Sequence, residues 1–190
     1  MTMVTVYTKQ HIDALRGLEK TGRHVACIDY IRRDMEDTAP LVLPVYDWLV
    51  RHSPAVAQRP ADVVYPVWVS YAQEAAMLPG PGFAIWELEL EESLITPVNI
   101  AKWGAILNYS YIPADAADAA RHQQRMAEYG IGDAAAVVSR FYPQLKQEII
   151  ASWDRLFDDN IRLGNAAVYG TVWEVQRDWL RRVIYGHDRI

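Results

Sequence analysis

Three carboxylates stand at alternate positions in Glu87-Leu-Glu-Leu-Glu91. Paired carboxylates perform acid–base chemistry when their surroundings push their pKa values apart. Glu87 and Glu89, central in the run, are the candidate catalytic pair. The same alternation is what the wet side of a half-solvated strand looks like, so the chemistry depends on where that strand lies. A second set of candidates is aromatic and amide-bearing. Tyr46, Trp48, Trp68 and Trp103, with the amides of Asn108 and Gln176, could line a ligand pocket, because a buried amide must find a partner and a ring with a polar edge suits a wet pocket wall. Each amide could equally tie a neighbouring backbone.

Other chemistries find little support in the residues. The histidines at 11, 24, 52, 122 and 187 show no paired-ligand spacing, so a metal site would have to be assembled by the fold. There is no G-x-S-x-G, G-x-x-x-x-G-K or G-x-G-x-x-G. Two glycines in Pro79-Gly-Pro-Gly82 are separated by a proline lacking the N–H that a phosphate nest needs, which makes the segment a turn. Cys27 is the lone cysteine, set in an apolar run where a buried, inert thiol is expected and no intrachain disulfide can form.

The elements that must position these residues follow from periodicity. Trp86, Leu88 and Leu90 oppose the three glutamates, so residues 82–91 read as a strand with one buried face. Thr96 then stands as an N-cap with Pro97 at the first helical position, and Ile100, Trp103, Ile106 and Leu107 recur at helical spacing. Upstream, residues 4–8 alternate as a first strand, followed by a helix capped by Thr8, striped by Ile12, Leu15 and Leu18 and closed by Gly22. Residues 24–30 read as extended and 32–38 as a loop. A helix over 45–52 stops before Pro54, and 67–71 is a strand. Downstream, helices are expected over 114–129, over 134–157 with a break at Pro143, and over 167–185, the last with Val168, Val172, Val175, Trp179 and Val183 inside. The expected class is α+β: a small mixed or antiparallel sheet in residues 1–110 packed with a helical portion, 111–190, in one domain.

Composition narrows the classes further. Seven Trp and eleven Tyr against three Phe give large rings with polar handles. A net charge of −5 lacks the basic footprint of a non-specific nucleic-acid binder. With no basic, apolar leader at its start and no apolar run of spanning length, the chain is expected to be cytosolic and soluble.

Val6-Tyr-Thr-Lys-Gln10, Tyr46-Asp-Trp48, Pro66-Val-Trp68, Trp103 with Leu107-Asn108, Ser152-Trp-Asp-Arg-Leu-Phe-Asp158 and Gln176 with Trp179 together resemble the bacterial family called domain of unknown function 3841. The resemblance implies a bacterial or phage source and no established activity; Tyr7, Thr8 and Gln10 enter the candidate binding set with its first motif. The segment after Trp68 departs from the pattern by lacking a second tryptophan. The opening strand ending at Tyr7-Thr8, its immediate helix and a Glu-bearing strand also resemble the ADP-ribosyltransferase layout, which implies NAD as ligand, aromatic rings holding nicotinamide and a glutamate orienting the ribose. A helical C-terminus without a late catalytic strand speaks against that layout. The alternative is a non-catalytic interaction module of a toxin–antitoxin or defence system, with exposed rings as interface anchors and a homodimer compatible with either reading.

Overall fold

The computed structural model describes residues 2–76 and 79–186. The chain forms an α+β fold whose main sheet is six-stranded and antiparallel. It divides into two compact units, residues 1–97 with 168–190, and residues 98–167.

The first unit is built on β1 (Met3–His11) and β4 (Phe83–Glu91), which pair antiparallel over nine consecutive positions from Met3↔Glu91 to His11↔Phe83. Alternation fixes what each face carries. Val6, Leu88 and Trp86 share a face that enters a buried cluster with Leu18, Val67, Val69, Val172 and Val175. β3 (Val67–Ser70) joins β1 at the single pair Tyr7↔Ser70, and β6 (Val168–Val172) pairs with β3 over four positions. With β5 (Thr96–Asn99) and β8 (Leu180–Tyr185) the strand order is β5-β6-β3-β1-β4-β8. Gly170 is required in β6: a Cβ there would lie 2.3 Å from Ile95 Cγ2 and 2.9 Å from Val69 Cγ2.

Around this sheet, α1 (Ile12–Thr21) ends at Gly22 in the left-handed conformation, φ 76°, as its glycine requires. Its N-cap is His11, whose ring accepts from Asp13 N, so β1 runs three residues past Thr8 before the helix opens. β2 (Arg23–His24) is a short strand pairing with β7 (Val175–Gln176), and the extended run expected to Tyr30 instead turns into α2 (Ile28–Met35). A 3-10 turn over Glu36–Thr38 continues it, where a loop was expected. α3 (Ala39–His52) begins earlier than residue 45 because Pro40 sits in its first turn, where no N–H is needed, and Pro44 is accommodated inside it.

The second unit holds α4 (Ile100–Leu107), α5 (Ala116–Tyr129), α6 (Asp133–Val138) and α7 (Pro143–Ser152), the last followed by a 3-10 turn over Trp153–Phe157. Thr96 and Pro97 are extended, and the cap of α4 is Asn99, whose side chain accepts from Lys102 N. Pro143 opens a new helix after a break, and Leu145, Ile149, Trp153 and Leu156 are all buried as one stripe.

The helix expected over 167–185 is absent; β6, β7 and β8 occupy that stretch. Val168, Val172, Val175, Trp179 and Val183 satisfy helical spacing, yet Val168-Tyr-Gly-Thr-Val172 is β-branched and contains the glycine that the close approach to Ile95 demands. Val172 and Val175 do reach the core, with Trp179 and Val183 packed against it, from strands and turns rather than a helix.

Candidate functional site

Past the Tyr7↔Ser70 bridge no further ladder pair joins β1 to β3 among the described residues, and where the two strands part a cavity opens in the first unit. Its volume is about 660 Å³, within the range of small-molecule sites. Thr8 to His11 of β1 and Pro66 to Ser70 line it, closed on the helical side by Ala14, Gly17 and Tyr46, with Tyr169 from β6 and Val25 to Cys27 from the segment after β2.

The rings are the main apolar surface. Tyr46 packs edge-on against Tyr65 at 5.6 Å, and Tyr65 donates to Asp47 Oδ1 at 2.7 Å. Burial raises the Tyr46 hydroxyl above its usual pKa, with a hydrogen bond to Trp68 opposing. Burial and then the Asp47 carboxylate push Tyr65 up to about 12. Both phenols therefore stay protonated at neutral pH; Tyr65 donates to Asp47, and Tyr46 accepts from the Trp68 indole. Tyr169 donates to Ala75 O at 2.9 Å, which pins its ring at the wall.

The polar groups are few and connected. Gln10 Nε2 donates to Thr8 Oγ1 at 2.9 Å, and Gln10 Oε1 lies 3.1 Å from His24 Nε2. Burial lowers the His24 pKa to about 4, so its ring is neutral at physiological pH. Its ring meets Trp86 edge-on at 5.2 Å. Arg23 belongs to the lining and binds two carboxylates, Asp62 at 2.7 Å and Glu174, which also accepts from Gln176. Lys9 lies 5.6 Å from the Phe83 ring centre, both of them lining residues.

The structure thus brings together Tyr7, Thr8, Gln10, Tyr46 and Trp68 of the candidates chosen from sequence. Gln176 is placed in β7, bonded to Glu174 and adjoining the site through Arg23. Trp48 is buried in α3 and stacked on His52 at 4.6 Å, outside the lining. Trp103 and Asn108 belong to the second unit and are not lining residues; Asn108 donates to Gly104 O at 2.7 Å, a helix-end tie. Glu87 and Glu89 also stand outside the lining, paired at 2.7 Å with Arg182 and Arg181 across β4 and β8. Arg181 and Arg182 reach these glutamates across strands because residues 180–185 are extended rather than helical. Cys27, expected buried, is exposed and lies in the cavity wall.

Glu174, His24 and Arg23 are the residues that sequence reasoning passed over. Glu174 lies two residues past the end of β6, and its signal was a carboxylate closing an apolar run.

No helix of the described residues is long and apolar enough to cross a membrane. A family model described as a domain of unknown function, DUF3841, matches residues 5–181. No curated protein and no solved structure matches the chain.

Proposed function

The chain belongs to the DUF3841 family, and from its cavity we propose that it binds a nicotinamide dinucleotide and acts as an ADP-ribosyltransferase-like module. The observation that carries this reading is the cavity where β1 and β3 part, whose wall gathers Tyr7, Tyr46, Trp68 and Tyr169 around a short polar chain, with Glu174 held at its margin by Arg23. Flat rings suit a nicotinamide or adenine base, since aromatic surfaces stack with about 0.5–1.5 kcal/mol beyond area burial. The objection raised by a helical C-terminus falls away, because residues 168–185 carry β6, β7 and β8 with a 3-10 turn between the last two.

The ribose-orienting glutamate is then Glu174 rather than Glu87 or Glu89. The arginine that holds Glu174 is itself a lining residue, whereas Arg181 and Arg182, the partners of Glu89 and Glu87, are not. In the transfer step the bond between the ribose C1′ and the nicotinamide nitrogen breaks, and nicotinamide leaves as a neutral base. An acceptor nucleophile forms the new bond to C1′ and gives up its proton. The Glu174 carboxylate, hydrogen-bonded to a ribose hydroxyl, stabilises the positive charge that develops at C1′.

The test is NAD turnover by the full chain, followed as nicotinamide release. Glu174→Gln is expected to lower turnover about a hundredfold with NAD affinity kept within a few-fold. Turnover unchanged in that variant, in protein that keeps its melting temperature, would contradict the role of Glu174.

A second reading, a protein-interaction module of a defence or toxin–antitoxin system, is favoured by the second unit's surface. Phe141, in the α6–α7 connection, is 88% exposed, and Val138, at the end of α6, 60%, where an apolar anchor for a partner would sit.

A further inference from the structure

The polar chain at the cavity consists of three side chains from two elements: Thr8 and Gln10 on β1 and His24 on β2. Thr8 is buried, at 3% exposure, and its Oγ1 accepts the Gln10 amide proton, so its own hydroxyl proton must point elsewhere. Among the described residues it meets no acceptor. A neutral His24 whose Nε2 faces the Gln10 carbonyl oxygen must carry its proton on Nε2, leaving Nδ1 as a bare acceptor. The chain can run in the opposite sense only if that proton moves to Nδ1, which turns the Gln10 amide over and makes the Thr8 hydroxyl donate to Gln10. The histidine tautomer therefore decides what Thr8 offers the cavity. Close by, Trp86 is fully buried against His24, and its Nε1 has no hydrogen-bond partner among the described residues.

Resting on the nucleotide-site reading, we propose that His24 is a positioning residue that orients Gln10 and thereby presents the Thr8 hydroxyl as a donor to an acceptor atom of the ligand. In a nicotinamide dinucleotide the ribose diol and the carboxamide both offer such an acceptor. Lining residues that contact only the apolar faces of a base would leave these polar atoms without partners, a cost that a matched ligand removes.

NAD titration calorimetry on the full chain tests the relay. Thr8→Val and His24→Ala are each expected to weaken binding about tenfold, and the double variant no more than about twofold beyond either, because the two act as one unit. His24→Gln, whose amide nitrogen takes the place of Nε2 as donor, is expected to keep affinity within about threefold. Repeating the titrations with ADP-ribose and with nicotinamide assigns the group: the Thr8→Val loss persists with the former if the relay reads the diol and with the latter if it reads the carboxamide. An additive, about hundredfold loss in the double variant, or a His24→Gln protein as weak as His24→Ala, would overturn the positioning role.

Should the alanine variant fold poorly, nitrogen NMR of the wild-type imidazole gives the same answer. The proton is expected on Nε2 at neutral pH with the Nδ1 resonance moving on addition of NAD, and a proton on Nδ1 overturns the proposal. Wild-type protein that binds NAD while Thr8 and His24 variants bind it equally well sinks the relay alone. Wild-type protein that binds no NAD sinks the nucleotide reading and the relay with it.

Discussion

The two units handle buried polar groups in opposite ways. In the second unit each such group is saturated. Asp118, its side chain 4% exposed, accepts from Ala114 N and the Tyr111 hydroxyl and meets both Arg155 and Arg121. Burial by itself would raise its carboxyl pKa, but those donors and cations hold it below the ordinary range. Lys102, 2% exposed, gives its Nζ protons to the carbonyls of Arg155 and Asp158 at 3.0 and 2.7 Å, and burial lowers its pKa. His122 sits between Asp133 at 2.8 Å and Glu148 at 3.5 Å, stacked on Tyr111 at 3.9 Å. In the first unit the groups around the cavity are only half used: the Thr8 hydroxyl proton, His24 Nδ1 and Trp86 Nε1 find nothing among the described residues. A saturated network holds a fold together, whereas a half-used one leaves donors and acceptors open to a ligand. On the proposed reading, that contrast leaves stability to the helical unit and ligand chemistry to the sheet unit.

The contrast is broken most severely by emptying the saturated network. Asp118→Ala leaves Arg155 uncompensated and is expected to cost about 3–5 kcal/mol in urea unfolding, with NAD binding unchanged in the protein that remains folded. A loss under about 1 kcal/mol would show the network to be ornamental.

A pH effect separates the units next. His24 titrates near 6.5 when unfolded and about 4 when folded, so between those values the unfolded chain binds more protons and stability falls as pH falls. The contribution is fully present above pH 6.5 and amounts to roughly 2–3 kcal/mol lost by pH 4, after discount for the ring's partial exposure. Stability curves of wild type and His24→Gln are expected to converge as the pH drops through this window; parallel curves would mean that His24 is not buried neutral.

A ring in the cavity comes third. Trp68→Ala is expected to weaken NAD binding by about 1–3 kcal/mol, read by calorimetry, and equal affinity would remove Trp68 from the site. The smallest effect belongs to Glu89→Gln. Its pair with Arg181 is solvent-exposed and worth under about 1 kcal/mol, so stability should barely move and turnover not at all. A large loss of turnover would return the catalytic role to the β4 glutamates.

Much of the fold was legible where local pattern and tertiary packing agree. Trp86, Leu88 and Leu90 alternate because one face of β4 is core, and Gly22 and Gly130 end helices because a left-handed residue is needed there. The C-terminal stretch was misread because Val172, Val175, Trp179 and Val183 meet the core at intervals that also fit a helix, while Val168 of the expected inner stripe is 41% exposed. Only long-range pairing, Val67↔Val172 to Ser70↔Tyr169, decides for strands, and a single sequence does not display it. The same misreading passed over Glu174, which lies between β6 and β7. Five candidate binding residues converge because they cluster on β1, β3 and α3. His24 escaped notice because its importance lies in its contact with Gln10, fourteen positions away.

The most direct test of the division of labour is backbone amide NMR of the full chain during titration with NAD. Perturbations confined to residues 7–11, 23–27 and 66–70, with α5 and α7 unmoved, are the predicted result. Perturbations centred on the helices of the second unit, or none at saturating NAD, would contradict it.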